Sequence, residues 1–318
     1  MNEYRLPRKA LAIMTYVLTS ACFLNAQTPA PTVPVQMTVT VDVVGEGKRM
    51  PEVSRDDVRV NQGRESRSVT DWVAACDDRA GLDLFILIDD ASDTSLGGQL
   101  ADLRAFVNSQ PSTTAVGIGY MRNAVVQIAQ NFTTDHAAAA KALRLPTGST
   151  GAYGSPYLSV IDLMKRWPQN ANRREVVMVT DGIDRARGGP RPHGLSLISP
   201  DVDTAGTVAQ RTGTIIHTIY APGVGRLHHN FWEATNGQNG IAKLSDETGG
   251  ESFFLGLESA VSFKPYLDRI QKILENQYIL TFEAKPGKKA GLQAVRITTP
   301  VAGVELASAD NAWVPAAK

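Results

Sequence analysis

The residues best suited to chemistry are oxygen donors gathered where apolar runs stop. Asp89, Asp90, Ser92, Asp93, Thr94 and Ser95 crowd one short turn directly after the apolar run Leu84 to Ile88. Carboxylate and hydroxyl oxygens at that density suit Mg²⁺ or a similar hard cation. The run itself fits a strand buried on both faces of a parallel sheet. In open α/β sheets, ligands sit just outside the carboxyl ends of such strands. The plainer reading is a strand-to-helix turn in which an Asp or Ser caps the helix. The pattern recurs at Glu175 to Asp184, where an apolar strand ends in Thr180-Asp181-Gly182. Between the two stretches lies Gly154-Ser155-Pro156-Tyr157. Proline is a good first helical residue, which puts Ser155 near an N-cap.

With these three pieces in this order, residues 80–277 resemble the von Willebrand factor type A domain family. That family's metal-ion-dependent adhesion site reads Asp-x-Ser-x-Ser after the first strand, a Thr in a later Gly-rich loop, and an Asp in a Thr-Asp-Gly turn. Asp89 or Asp90, Ser155 in place of Thr, and Asp181 match those roles. Counting from Asp89, Ala91 replaces the first Ser and Asp93 the second; counting from Asp90, Ser92 and Thr94 restore the pattern. The second register needs the strand to run through Asp89. The first is preferred, because a charge at the end of a central strand is costly.

The resemblance implies a doubly wound, mostly parallel α/β sheet of von Willebrand type A or Rossmann-like form. It also implies metal ligands drawn from Asp89, Asp90, Ser92, Asp93, Ser155 and Asp181, holding Mg²⁺ or Mn²⁺. Such an ion does no chemistry; it keeps one open position that a carboxylate of a partner protein completes. The expected function is a non-enzymatic protein-binding module. Ala91 and Ser155 favour the alternative of a metal-free scaffold part of an envelope assembly. A third reading is a hydrolase using Asp89, Asp181 and a divalent ion; it lacks a second metal cluster and a clear base.

The elements that must position these residues alternate strand and helix, the pattern of a parallel sheet. Leu96, Leu100, Leu103 and Val107 recur at helical spacing, and Val160, Leu163, Met164 and Trp167 mark another helix's inner face. Thr114 to Tyr120 and Thr214 to Tyr220 read as strands, and Val125 to Ala129 as a partner strand. Asp135 starts an Ala-rich helix through Leu145. A helix over Asn239 to Thr248 stops at Gly249-Gly250, before a short strand Ser252 to Leu255. Phe263, Leu267, Ile270 and Leu274 stripe the last helix.

Residues 27–36, rich in proline, read as a linker. Alternating segments in 37–79 and again in 278–318 are expected to meet in one small β subdomain, or else to extend the edge of the main sheet.

Composition bounds the rest. With 43% apolar and 20% charged residues over 318 positions, the chain is an ordinary globular one. Thirty-two acidic and 32 basic residues cancel, which argues against nucleic acid as the partner. Arg5, Arg8 and Lys9, an apolar stretch Ala10 to Leu24, and Ala26 before Gln27 read as a signal peptide over 1–26. The expected address is secreted or periplasmic, with no transmembrane span in the mature chain. Lipid attachment at Cys22 is the alternative. After cleavage only Cys76 remains, too few for an internal disulfide, and it reads as a small buried hydrophobe. His228-His229 lacks a helical partner ligand and reads as loop surface, while His217 inside an apolar strand reads as a core histidine. No Gly-x-Ser-x-Gly elbow or phosphate loop is present. Arg185 to His193 is a Gly-, Pro- and Arg-rich loop beside the site.

Overall fold

A computed structural model describes residues 31–45, 51–148, 154–185, 199–224, 230–254, 256–258 and 260–317. The expected signal peptide, Cys22, His228, His229 and positions 186–193 lie outside these residues. The described part belongs to one compact unit, Pro31–Lys318.

The chain opens with β1 (Val33–Val43), β2 (Arg59–Gln62), β3 (Glu65–Arg67) and β4 (Val69–Ala74). Strands and helices then alternate as β5 (Leu82–Asp89), α1 (Leu100–Asn108), β6 (Thr114–Arg122), β7 (Val125–Thr133), α2 (His136–Lys141), α3 (Pro156–Lys165), β8 (Arg173–Thr180), α4 (Pro200–Thr212), β9 (Thr214–Tyr220), α5 (Phe231–Thr248), β10 (Ser252–Phe253) and α6 (Lys264–Glu275). It ends with β11 (Gln277–Ala284), β12 (Gly291–Thr298), β13 (Val304–Ala307) and β14 (Asn311–Val314).

The central sheet runs in the order β10-β9-β8-β5-β6-β7, parallel except for the β6–β7 hairpin. β5 is buried at every residue, as its unbroken apolar run requires. Its even-numbered residues Leu82 to Ile88 pack with α1, α2 and α6 on one face. Phe85 and Leu87 pack with α3, α4 and α5 on the other, so the sheet is wound on both sides. The chain leaves β5 toward β6 and later returns to β8 on β5's other flank. The carboxyl ends of β5 and β8, paired at Ile88 and Val179, therefore border the point where strand order reverses.

The front and rear strands do not extend this sheet. They form two four-stranded sheets, β13-β1-β11-β4 and β14-β12-β2-β3. Val39, Val60, Leu280, Phe282, Val295 and Val314 share one buried cluster between them. Asp42 of β1 is tied to Arg269 of α6, and Asn311 of β14 donates to Gln210 of α4 at 2.7 Å.

Several expectations need correction. β5 runs one residue further than expected, through Asp89, which pairs with Met121. The charge is tolerated there because its carboxylate takes local hydrogen bonds, described below. β1 begins at Val33, inside the stretch read as linker. β13 covers only Thr40 to Val43, so Pro34 sits where that edge is unpaired and its missing N–H is harmless. The Ala-rich helix stops at Lys141 because Arg144 is drawn off to Asp90 and Tyr120. Leu96 lies in a 3₁₀ turn ahead of α1. α5 starts at Phe231, well before Asn239. Its Gly237 interrupts the apolar pattern, because a Cβ there would meet the Asp181 carbonyl at 2.1 Å. α4 escapes the apolar pattern because its buried face is made largely of small residues, Val202, Ala205, Gly206 and Ala209. Cys76 is exposed, not buried, at the start of a turn after β4.

Candidate functional site

The three polar turns meet at the carboxyl edge of the central sheet, joined by backbone hydrogen bonds. Arg185 N–H donates to Gly154 O at 2.9 Å, linking the turn after β8 to the one before α3. Asp93 N–H donates to Pro222 O at 3.0 Å and Val224 N–H to Ala91 O at 2.8 Å. A fourth loop, after β9, thus closes over the first.

Asp89 points into this junction. Its Oδ1 accepts from Ala91 N–H at 2.9 Å and its Oδ2 from the Thr180 hydroxyl at 2.9 Å. The same Thr180 oxygen accepts from Gly182 N–H at 3.1 Å, so Thr180 locks both turns together. Burial, then the charge of Asp181, pushes the Asp89 carboxyl up to about 6; the charge of Arg185 pulls the other way. Asp181 Oδ1 accepts from Ile183 N–H at 2.9 Å, an Asx turn that reverses the chain. Gly182 makes that reversal at φ +71°, with the Gly237 carbonyl packed where a Cβ would stand.

Arg185, four residues after Asp181, folds back onto it. Nη1 donates to Oδ1 at 3.2 Å and Nη2 to Oδ2, a bidentate fork with both side chains almost fully enclosed. Against the burial that opposes its charge, Asp181, then Asp89 and Glu233, hold the guanidinium above its ordinary pKa. A Cβ on Gly223 would lie 2.3 Å from Asp181 Oδ2 and 2.7 Å from Arg185 Nη2, so only glycine leaves space for this pair.

The remaining sequence candidates are distributed differently. Asp90 turns away: Arg144 Nη1 and Nη2 bind it at 2.7 and 3.3 Å, and Thr147 N–H at 2.9 Å. The Arg144 guanidinium also stacks 3.7 Å from the Tyr120 ring. Asp93 caps the 3₁₀ turn through Ser95 N–H at 2.8 Å. Ser155 is the N-cap of α3, its oxygen accepting from Leu158 N–H at 3.4 Å. Ser92 forms a backbone bridge with Gly223, and its buried hydroxyl has no hydrogen-bond partner among the described residues. The Tyr220 hydroxyl is enclosed and has no partner among the described residues either, pushed up to about 12 by burial and then by Asp181. The site therefore gathers Asp89, Ser92, Ser155 and Asp181, and leaves Asp90 and Asp93 to structural work.

Sequence reasoning missed Arg185 as a site residue. The available signal was its spacing from Asp181, which lets a guanidinium reach the carboxylate across a tight turn. Thr180 and Gly223 were missed too, since their roles depend on a neighbouring loop.

Two antiparallel sheets stand beside a doubly wound sheet whose three polar turns converge at its switch point. The fold is of von Willebrand factor type A kind.

No family model matches the chain, and no curated protein matches it by sequence. Among solved structures it is similar to an aerotolerance-related membrane protein from Bacteroides fragilis, at 12% identity and TM-score 0.44, over 61% of this chain and 98% of that one. It is similar to the conserved hypothetical protein BatB from Bacteroides thetaiotaomicron, at 14% identity and TM-score 0.43, over 61% and 97%. It is also similar to a von Willebrand factor type A protein from Catenulispora acidiphila, at 10% identity and TM-score 0.40, over 91% and 75%. Identity this low leaves the chemistry of the site to its own side chains.

Those side chains, as placed in this von Willebrand type A fold, do not suit a divalent ion. Mg²⁺ demands near-octahedral oxygen ligands at about 2.0–2.1 Å. Ala91 offers no side-chain oxygen where the family motif has a serine, and Asp181 is already forked by Arg185. Between Asp89, Ala91, Ser155 and Arg185 the open space is about 10 Å³, room for about one water. Among the described residues no group of three or more His, Cys, Asp and Glu is arranged to hold a metal.

Proposed function

We propose that this chain is a non-enzymatic protein-binding module, exported from the cell, whose contact face is the carboxyl edge of the central sheet. The observation that carries the reading is an exposed aromatic pair at the rim of the site. Phe231 and Trp232 open α5, remain 59% and 68% exposed, and pack edge to face at 5.6 Å. Large aromatic surface of this kind is what interface hot spots are made of, and a protein rarely exposes it without use. Glu233 follows directly and acts on Arg185, so the pair adjoins the polar turns. Leu145, 48% exposed, lies in the loop whose Gly148 bonds Asp90.

Hydrolysis is less well supported, because both site carboxylates are committed. Asp89 takes two hydrogen bonds and Asp181 an arginine fork, which leaves neither carboxylate free as a general base. The export part of the proposal rests on residues 1–26. Among the described residues no helix is long and apolar enough to cross a membrane.

A photo-crosslinking residue placed at position 232, and separately at Glu305 on β13, tests the reading in cells that make the protein. One discrete protein adduct from position 232 and none from 305 is the expected result. No adduct from 232, or the same adducts from both positions, would overturn it.

A further inference from the structure

The fold supplies the place for a cation between Asp89 and Asp181, and the chain fills it itself. Arg185 leaves the turn after β8 with its backbone N–H fastened to Gly154 O, so its side chain starts beside the site. It then returns to Asp181 through two hydrogen bonds, with a third from Nη1 to Ile183 O at 3.4 Å. Only 13% of the side chain is exposed, and none of the Asp181 side chain is. The surroundings are shaped to this pair. Gly223 clears the room for the guanidinium, and the residual cavity holds about 10 Å³. Two features of a cation site persist around it: a second carboxylate, Asp89, whose burial is opposed by the Arg185 charge, and the hydroxyl of Ser92, without a partner among the described residues, on the loop that pairs with Gly223.

We infer that Arg185 is a tethered cation standing in for a divalent ion at the Asp89–Asp181 pair, so that ion binding and the Arg185–Asp181 contact exclude one another. The guanidinium gives Asp181 two directed, charge-assisted hydrogen bonds, which fix the carboxylate much as a metal bond would. Being covalently attached and held in place by its backbone bond to Gly154, it competes with a free ion at a high effective concentration. A divalent ion must break both hydrogen bonds and expel a buried side chain before it can bind. The edge of the sheet is then held in one geometry without any ion, and its shape does not respond to divalent-ion concentration. The inference goes beyond the binding-module reading and stands or falls separately from it.

Mn²⁺ titration of the full chain, with free ion followed by electron paramagnetic resonance, tests this. In R185Q the fork is gone, and Mn²⁺ should bind at least about tenfold more tightly than in wild type, the equivalent of one charge-assisted hydrogen bond. D181N added to R185Q should return binding to the wild-type level. The thermal midpoint of wild type should not move with millimolar Mn²⁺, while that of R185Q should rise. Equal Mn²⁺ binding by wild type and R185Q, whether weak in both or tight in both, would overturn the inference. Should R185Q lose its cooperative melt, R185M is read instead. Methionine keeps the length and apolar packing of the stem but neither the charge nor the fork, so Mn²⁺ should again bind more tightly than in wild type; no gain in folded R185M refutes the idea as well.

Discussion

Replacing the buried acid Glu175 by its neutral isostere glutamine should destabilise the protein, although it removes a charge from the core. Glu175, His217 and Gln277 are at most 1% exposed, and Arg173 is 8% exposed. They form one hydrogen-bonded row under the central sheet. Glu251 N–H donates to His217 Nδ1 at 3.1 Å, so the His217 proton sits on Nε2, which donates to Glu175 Oε2 at 3.0 Å. Gln277 Nε2 donates to Glu175 Oε1 at 2.7 Å, and Arg173 donates to Gln277 Oε1. Both ends of the row are fixed donors, a backbone amide and a guanidinium, and Glu175 is the one member that only accepts. Glutamine there supplies one acceptor too few. Flipping its amide, or that of Gln277, only moves the clash, and two donors face each other somewhere in the row.

Two buried donors left without acceptors cost about 1–3 kcal/mol each, less what the lost burial of charge returns, so E175Q should lose about 2–4 kcal/mol. Q277E alone should also destabilise, since it sets two carboxylates face to face. Together, E175Q and Q277E restore the row. His217 then donates to the amide oxygen of the glutamine at position 175. That glutamine's NH₂ donates to the new carboxylate at position 277, and Arg173 donates to the same carboxylate. The double variant should come within about 1 kcal/mol of wild type, a strong favourable coupling between two single losses. Urea denaturation at neutral pH, with m-values checked for constancy, measures all four proteins. A wild-type-like E175Q, or a double variant that loses the sum of the singles, would refute the assigned donor directions.

Two further outcomes follow from other ion pairs. Hydrogen bonding to Arg269, against some burial, holds the Asp42 carboxyl below its ordinary value of 3.8. The folded-state pKa is lowered, so this contribution is complete at neutral pH and fades as pH falls below about 4; R269Q should abolish that part of the acid slope. Both side chains are about a third exposed, 34% and 36%, so the effect should stay below about 1 kcal/mol in urea titrations run from pH 7 to pH 3, and a larger one would count against the assignment. Arg144→Ala should cost more, about 2–3 kcal/mol, because it strands the Asp90 carboxylate, whose side chain is 2% exposed, and uncovers the Tyr120 ring. Thermal melts of R144A and R144A/D90N check this, and the second substitution should recover part of the loss.

Local patterning was enough to place the strands of the central sheet, the polar turns at their ends and the alternation that makes a doubly wound sheet. Its signals are short-range: an apolar run such as Leu84 to Ile88, a Ser155-Pro156 helix start, a Thr180-Asp181-Gly182 reversal. The same runs showed that front and rear strands are half buried, yet a period of two says only that a face is covered, not by what. It took the folded chain to show that these strands form two sheets of their own, and that the acid facing Asp181 is Asp89 while Asp90 faces Arg144. Neighbouring carboxylates at a strand end point in different directions, and which one finds a donor depends on loops far away in sequence, 91 residues for Thr180 and 54 for Arg144. α4 and the start of α5 were illegible because their close contacts, Gly206 with Glu247 of α5, Gly237 with the turn at Asp181 and Gly240 with Tyr157 of α3, select glycine and other small residues, which carry little hydrophobic signal. Arg185 was hidden for the opposite reason. A charged residue in a Gly- and Pro-rich loop looks like solvated surface until the turn brings it back over an acid, and only there does its charge become part of the site.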